Sequence, residues 1–269
     1  MVRSLTATAR LMVEAASELR QPRVWLPAAC LLLPSLLLQL AFPHWLRTRL
    51  APSMATVIIG SVFVAWTTQV AAAASWGWVD ALRHRRPVRW PALARAALQV
   101  GTATLLGLVA GVWPGLWLQA RLAHVPLQRA ARTPQPGMPS LGPLVGVAAV
   151  ALVTSLLGQS LAAGLAEALG TIEPVAVIDG RVQFRLNYLP HLLTSLLAYA
   201  WTVFALTWQA ASVSVRYEET AAVSLARGVR PPRSVSARPL LALSLVLGVL
   251  VMLGAGLVAA IDKVQQHLH

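Results

Sequence analysis

The side chains that could do chemistry in this chain are polar but uncharged, and they sit inside long apolar runs. Thr67, Thr68 and Gln69 fall in one run, and Gln99, Thr102 and Thr104 in the next. Thr154, Ser155, Gln159 and Ser160 fall in a third, and Thr202, Thr207 and Gln209 in a fourth. Amides and hydroxyls surrounded by hydrocarbon have two uses. They bond helix to helix, each contributing about 0.6 kcal/mol on average, or they line a polar cavity for a substrate or lipid headgroup, here around Gln69, Gln99 and Gln159. Catalytic arrangements are harder to assemble. The His-Glu-x-x-His of a zinc protease is absent, and so is a Gly-rich phosphate loop with Lys-Ser/Thr. Ser155 and Ser160 share a run with His191 at the start of the next, but no nucleophile motif surrounds either serine. His267 and His269 are too few for a metal site. Charge inside lipid is costly and usually functional. The charged candidates, Glu167 and Arg95, lie near run ends, from which long side chains reach the interface. No catalytic residue, metal or other cofactor is expected.

The elements that must hold these side chains are membrane spans. The 269-residue chain is 57% hydrophobic, has a mean hydropathy of +0.65, and is only 12% charged. An ordinary soluble domain carries roughly twice that charged fraction. A bilayer crossing needs about 20 mostly apolar residues, and stretches of that order lie near 24–42, 54–79, 92–118, 144–170, 189–215 and 240–261. The expected fold is therefore all-α: a polytopic transmembrane helix bundle of about six spans, one domain over 24–269. Residues 1–23 precede it. Leu5, Ala9, Met12, Val13, Ala16 and Leu19 recur there near helical spacing with charges between them, the pattern of an amphipathic interfacial helix. Gln21-Pro22 ends it. Trp25, Trp45, Trp76, Trp78, Trp90, Trp113 and Trp117 fall near presumed span ends and read as an aromatic belt. Val175–Phe184, turning at Asp179-Gly180, reads as a small extramembrane hairpin. Leu26-Pro27-Ala28-Ala29-Cys30 has the outline of a lipoprotein processing site, but its apolar run follows the cysteine instead of preceding it. Cys30 is expected to be buried in the first span.

The net charge of +13 comes from arginines in the gaps between the runs, not from a patch on a soluble fold. It points to anionic lipid headgroups and a positive-inside bias, not to nucleic acid. The loop with Arg83, Arg85, Arg86 and Arg89 and the loop with Arg227, Arg230 and Arg233 are the strongest of these segments. They are the expected contacts with membrane lipids or a protein partner, on the cytoplasmic face of a bacterial inner membrane. Six simple crossings from a cytoplasmic N-terminus put those two loops on opposite sides. A chain reversal at Val112-Trp113-Pro114-Gly115 repairs the conflict, because it returns Arg121, Arg129 and Arg132 to the cytoplasm. The segment after it, about 12 residues over 116–127, is too short for a full crossing and suits a re-entrant helix. Gly107, Gly111 and Gly115 recur every fourth residue, which gives a face on which a helix of this chain, or a second copy, could pack closely.

Four elements together carry a resemblance. They are the N-terminal helix Met1–Arg20, the basic loop Ala81–Trp90, Pro114-Gly115 with Arg121 shortly after, and Arg216-Tyr217-Glu218-Glu219 at the end of a later span. Over about residues 1–225 the chain resembles the YciC-like bacterial membrane proteins and the membrane domain fused to some glycerophosphoryl diester phosphodiesterases. It departs from them in the added run Leu240–Ile261 and in lacking an acidic stretch followed by Arg-Ser after the Pro-Gly segment. No phosphodiesterase catalytic domain accompanies it, so the resemblance implies a scaffold or accessory protein and no hydrolysis. The leading expectation is thus a non-enzymatic scaffold or accessory protein. The alternative is a transporter or permease subunit, whose mark would be a cavity joining the intramembrane glutamines. A third reading, a membrane-embedded enzyme, would need polar groups convergent on His191 or Glu167.

Overall fold

The computed structural model describes residues 2–48, 54–131, 140–178 and 181–226. The run 240–261 and the basic residues Arg227, Arg230 and Arg233 lie outside them. The described chain forms eight α-helices: α1 (Val2–Ala15), α2 (Leu26–Thr48), α3 (Met54–Arg83), α4 (Trp90–Ala110), α5 (Val112–Leu122), α6 (His124–Ala131), α7 (Leu141–Ala168) and α8 (Tyr188–Ala226). Two short 3-10 turns, Glu18–Arg20 and Pro22–Trp25, join α1 to α2. Between α7 and α8 a small antiparallel hairpin pairs β1 (Ile172–Ile178) with β2 (Arg181–Leu186), Ile172 opposite Leu186 and Ile178 opposite Arg181. Among the described residues four stretches are long and apolar enough to cross a membrane: Pro22–Leu40, Trp90–Ala110, Leu141–Ala168 and Tyr188–Thr220.

Hydrogen bonds between the elements give the bundle two ends. At one, the Trp78 indole N–H donates to the Arg23 carbonyl (2.8 Å), the Arg89 N–H to the Ala130 carbonyl (3.4 Å) and Thr8 Oγ1 to the Pro143 carbonyl (3.4 Å). These bonds gather α1, the starts of α2, α4 and α7, and the ends of α3 and α6; this is the basic end. At the other, Asn187 bonds through its N–H to Thr171 and through Nδ2 to the Gly170 carbonyl (2.6 Å), and His191 Nε2 lies 3.2 Å from the Gln39 carbonyl. This is the hairpin end.

The chain does reverse between 92 and 118, but not where Pro-Gly suggested. The α4 helix closes at Gly111, whose N–H donates to the Gly107 and Leu108 carbonyls and whose φ of +149° belongs to glycine. Pro114, by contrast, sits inside the first turn of α5, where its missing N–H loses no helical hydrogen bond. The three glycines consequently do not form one continuous helix face. Gly111 is the turn, and Gly107 and Gly115 face each other across it: a Cβ on Gly107 would come within 3.0 Å of Gly115 Cα, and one on Gly115 within 2.9 Å of Leu108 Cα. The closely packed partner is the returning helix of the same chain.

Small residues let α3 take a central position. Ala71, Ala72 and Ala73 are fully buried, and α4 approaches so closely that a Cβ on Gly101 would lie 2.7 Å from Val70 N. The α1 helix is part of this bundle as well as amphipathic. Leu11, Met12 and Ala15 are buried while Val13 is 74% exposed, and the Trp208 indole N–H donates to the Met12 carbonyl (2.8 Å). Two local expectations change. Cys30 is exposed on the outside of α2 instead of buried. Trp76 is 1% exposed and belongs to the core, whereas Trp90, Trp113 and Trp117 remain on the surface.

Candidate functional site

A cavity of about 840 Å³ lies between α2, α3, α5, α7 and α8, with Leu108 of α4 at its edge. One wall is a face of α8, from His191 through Thr194, Ala198, Thr202 and Leu206 to Gln209. At 1.5 Å per residue this wall is about 27 Å long, close to the roughly 30 Å of a bilayer's hydrocarbon core. Beside it, α7 contributes a stripe of the same length that includes Ala148, Ala151, Ser155 and Gln159, and α3 contributes Ser61, Thr68 and Gln69. The alanines leave the space; the glutamines, serines and threonines decorate it.

Burial changes along the cavity. Ser61, Leu156 and Gln159, toward the hairpin end, are exposed, and His191 is half-buried. Toward the basic end Leu206 and Ala148 are buried, Gln119 is 8% exposed and Gln209 is 2% exposed. The cavity is therefore open toward the hairpin and closed toward the arginines, where Ala210, Ala211, Ser212 and Ser214 of α8 are fully buried.

The polar lining has specific bonding. Gln119 Nε2 donates to Gln69 Oε1 at 3.1 Å. A head-to-tail amide pair leaves one NH₂ and one carbonyl for a third group. The Thr68, Thr194 and Thr202 hydroxyls donate to carbonyls of their own helices, Val64, Pro190 and Ala198, at 2.7, 2.9 and 2.9 Å. Their oxygens remain acceptors toward the cavity. Of the expected glutamines, Gln69 and Gln159 meet in this lining, while Gln99 is half-buried on α4 and does not line it. Gln39, Gln119 and Gln209 were not singled out for the cavity. Gln119 gave no signal, because it lies in the 116–127 segment, too short for a full crossing, and not in one of the long polar-bearing runs. Gln209 carried a signal, its helical spacing from Thr202 and Leu206.

Serine and histidine do not pair here as nucleophile and base. Ser155 and His191 both line the cavity, but the histidine's Nε2 is turned to the Gln39 carbonyl, and Ser160 and Glu167 are exposed on α7 outside the lining. Among the described residues no group of three His, Cys, Asp or Glu side chains is placed to hold a metal.

The basic end is held by ion pairs. Arg83 reaches Glu218 (2.7 Å) and Glu18 (3.7 Å), so it ties α3 to α8 and to the turn after α1. Arg85 and Arg89 are exposed, and Arg86 is half-buried. Arg216 pairs with Glu219 (2.8 Å) and bonds Ser140 Oγ (2.9 Å), while Arg10 bridges Glu14 (2.7 Å) and Glu219 (3.2 Å). Asp80, 1% exposed, accepts a hydrogen bond from Ser214 Oγ (3.1 Å). The acidic pair after Tyr217 thus clamps three elements. His124 of α6 is buried, with its Nδ1 2.9 Å from the Arg121 carbonyl.

No protein-family model, curated protein or solved structure matches this chain.

Proposed function

We propose that this chain is a non-enzymatic, multi-pass protein of a bacterial inner membrane that receives a small molecule inside the bilayer, as a binding or permease subunit. The observation that carries this reading is the cavity joining Gln69 and Gln159, the feature that separates a permease-type subunit from a plain scaffold. Its volume falls within the roughly 300–1,000 Å³ typical of ligand pockets. The basic end is the cytoplasmic face in this reading, the N-terminus lies there, and α3 crosses with the other long helices. The α4 helix crosses from that face and α5 with α6 returns the chain to it as the re-entrant segment, so the cavity opens away from the cytoplasm. The exposed Arg85 and Arg89 then meet anionic headgroups. The likeness to YciC-type membrane proteins fits such a multi-pass protein.

Thiol accessibility tests the reading. Cysteines placed singly at Ser61, Thr68, Ser155, Gln159 and Gln209 in a Cys30→Ala background are exposed to an impermeant methanethiosulfonate reagent from either side of sealed vesicles. We expect labelling from the hairpin side, fast at Ser61 and Gln159 and slower toward Gln209. Uniform protection from both sides would remove the cavity as a functional site.

A further inference from the structure

The described lining contains no aspartate, glutamate, lysine or arginine, and His191 is its sole ionisable side chain. This restricts what the cavity can hold. An ion removed from water needs a charged or strongly hydrogen-bonding partner, and its desolvation is otherwise unfavourable. A carboxylate, phosphate or ammonium would find no counter-charge along these walls. A neutral group that both donates and accepts hydrogen bonds matches them, since an amide offers both functions and the Gln69–Gln119 pair keeps one of each in reserve.

The distribution of the lining adds a second restriction. Gln119 and Gln209 are the deeply buried amides, at the closed end, with Gln69 bonded to the first. Between them and the open end the wall is mostly hydrocarbon, from Val64, Leu152, Leu156 and Ala198, with the hydroxyls of Thr68, Ser155, Thr194 and Thr202 spaced along it. The open end is bordered by exposed apolar surface of α7, including Leu157 and Leu161. The opening thus borders both water at the hairpin end and lipid along α7, and a molecule that enters from the leaflet moves along a mostly apolar wall before it meets the deep amides.

We propose that the cavity binds an uncharged amphiphile drawn from the surrounding bilayer, with its hydroxyl or amide group bonded by Gln69, Gln119 and Gln209 and its hydrocarbon part against the wall of α3, α7 and α8. The proposal rests on the reading of the cavity as a ligand site and adds the ligand's charge and shape. The occupant is a lipid-soluble neutral molecule; a water-soluble polyol and a charged lipid are the alternatives that the test separates.

The test uses the full chain in nanodiscs of zwitterionic lipid and three photoactivatable probes of equal chain length: a monoacylglycerol, an alkylsulfonate and an alkyltrimethylammonium. We expect the monoacylglycerol to label α7 and α8 and to be displaced by unlabelled monoacylglycerol but not by glycerol. Gln119→Leu and Gln209→Leu should each weaken that displacement about fivefold, the value of one neutral hydrogen bond. Equal or stronger specific labelling by either charged probe would overturn the proposal, and so would displacement by glycerol alone or unchanged affinity in both folded leucine variants. If a leucine variant fails to fold, the ranking of the three probes on the unaltered protein decides. Absence of specific labelling by all three, with the cavity thiols still reactive, would defeat the neutral-amphiphile assignment and leave the cavity reading standing.

Discussion

The approach of α4 to the backbone of α3 predicts its own energetic signature. Gly101 lies within α4, and a Cβ built on it would sit 2.7 Å from both Val70 Cγ2 and Val70 N and 2.8 Å from Val70 Cα. The methyl of Gly101→Ala can push the valine side chain aside, but two of those atoms are backbone of α3 and cannot rotate away. Either α4 moves out or the contact is strained, and overpacking of this kind costs about 1–3 kcal/mol. The same substitution gains about 0.5–1 kcal/mol because alanine is the better helix former. The gain is removed by comparison with Gly164→Ala in α7, where an added Cβ meets nothing within 4 Å. The difference between the two variants isolates the steric part, and we expect Gly101→Ala to be the less stable by about 1–3 kcal/mol. Equilibrium unfolding in mixed micelles with rising SDS mole fraction, followed by far-ultraviolet circular dichroism, measures it. A difference below about 0.5 kcal/mol, the usual range for a surface change, would refute the claim that α3 and α4 touch through this glycine.

Arg83→Gln should destabilise by about 1 kcal/mol through the lost pairs to Glu18 and Glu218, and Arg85→Gln by less than about 0.5 kcal/mol, measured in the same unfolding titration. Neutralising Arg83, Arg85, Arg86 and Arg89 together should alter topology, and unchanged reporter-fusion patterns in that variant would count against the charge argument.

The membrane character and most helix positions were legible because hydrocarbon length is a one-dimensional property. The hairpin at 172–186 was legible for a similar reason, since its alternating strands and tight turn are local. Charge counting pointed to a reversal in the third run, but the choice of Gly111 over Pro114 required knowing which residue would fall in a first helical turn. The cavity was half legible. Polar residues within apolar runs announce an interior face, yet Gln99 and Gln159 look alike in sequence, and only packing turns one from the cavity and the other into it. The ion pairs of Arg83 were not legible, because Glu18 and Glu218 are 65 residues before it and 135 residues after it.

The docking of α1 sets an order of assembly. The Trp208–Met12 hydrogen bond joins residues 196 apart, and the pocket that receives Leu11 and Met12 needs α7 and α8. During synthesis at about 5–20 residues per second, α1 would wait roughly 10–40 s for those helices. Over that interval a helix with one apolar face has somewhere to rest, on the lipid surface. Its amphipathic sequence thus serves two successive environments. The first is a temporary berth on the bilayer, and the second is the seat between α7 and α8 that closes the bundle last.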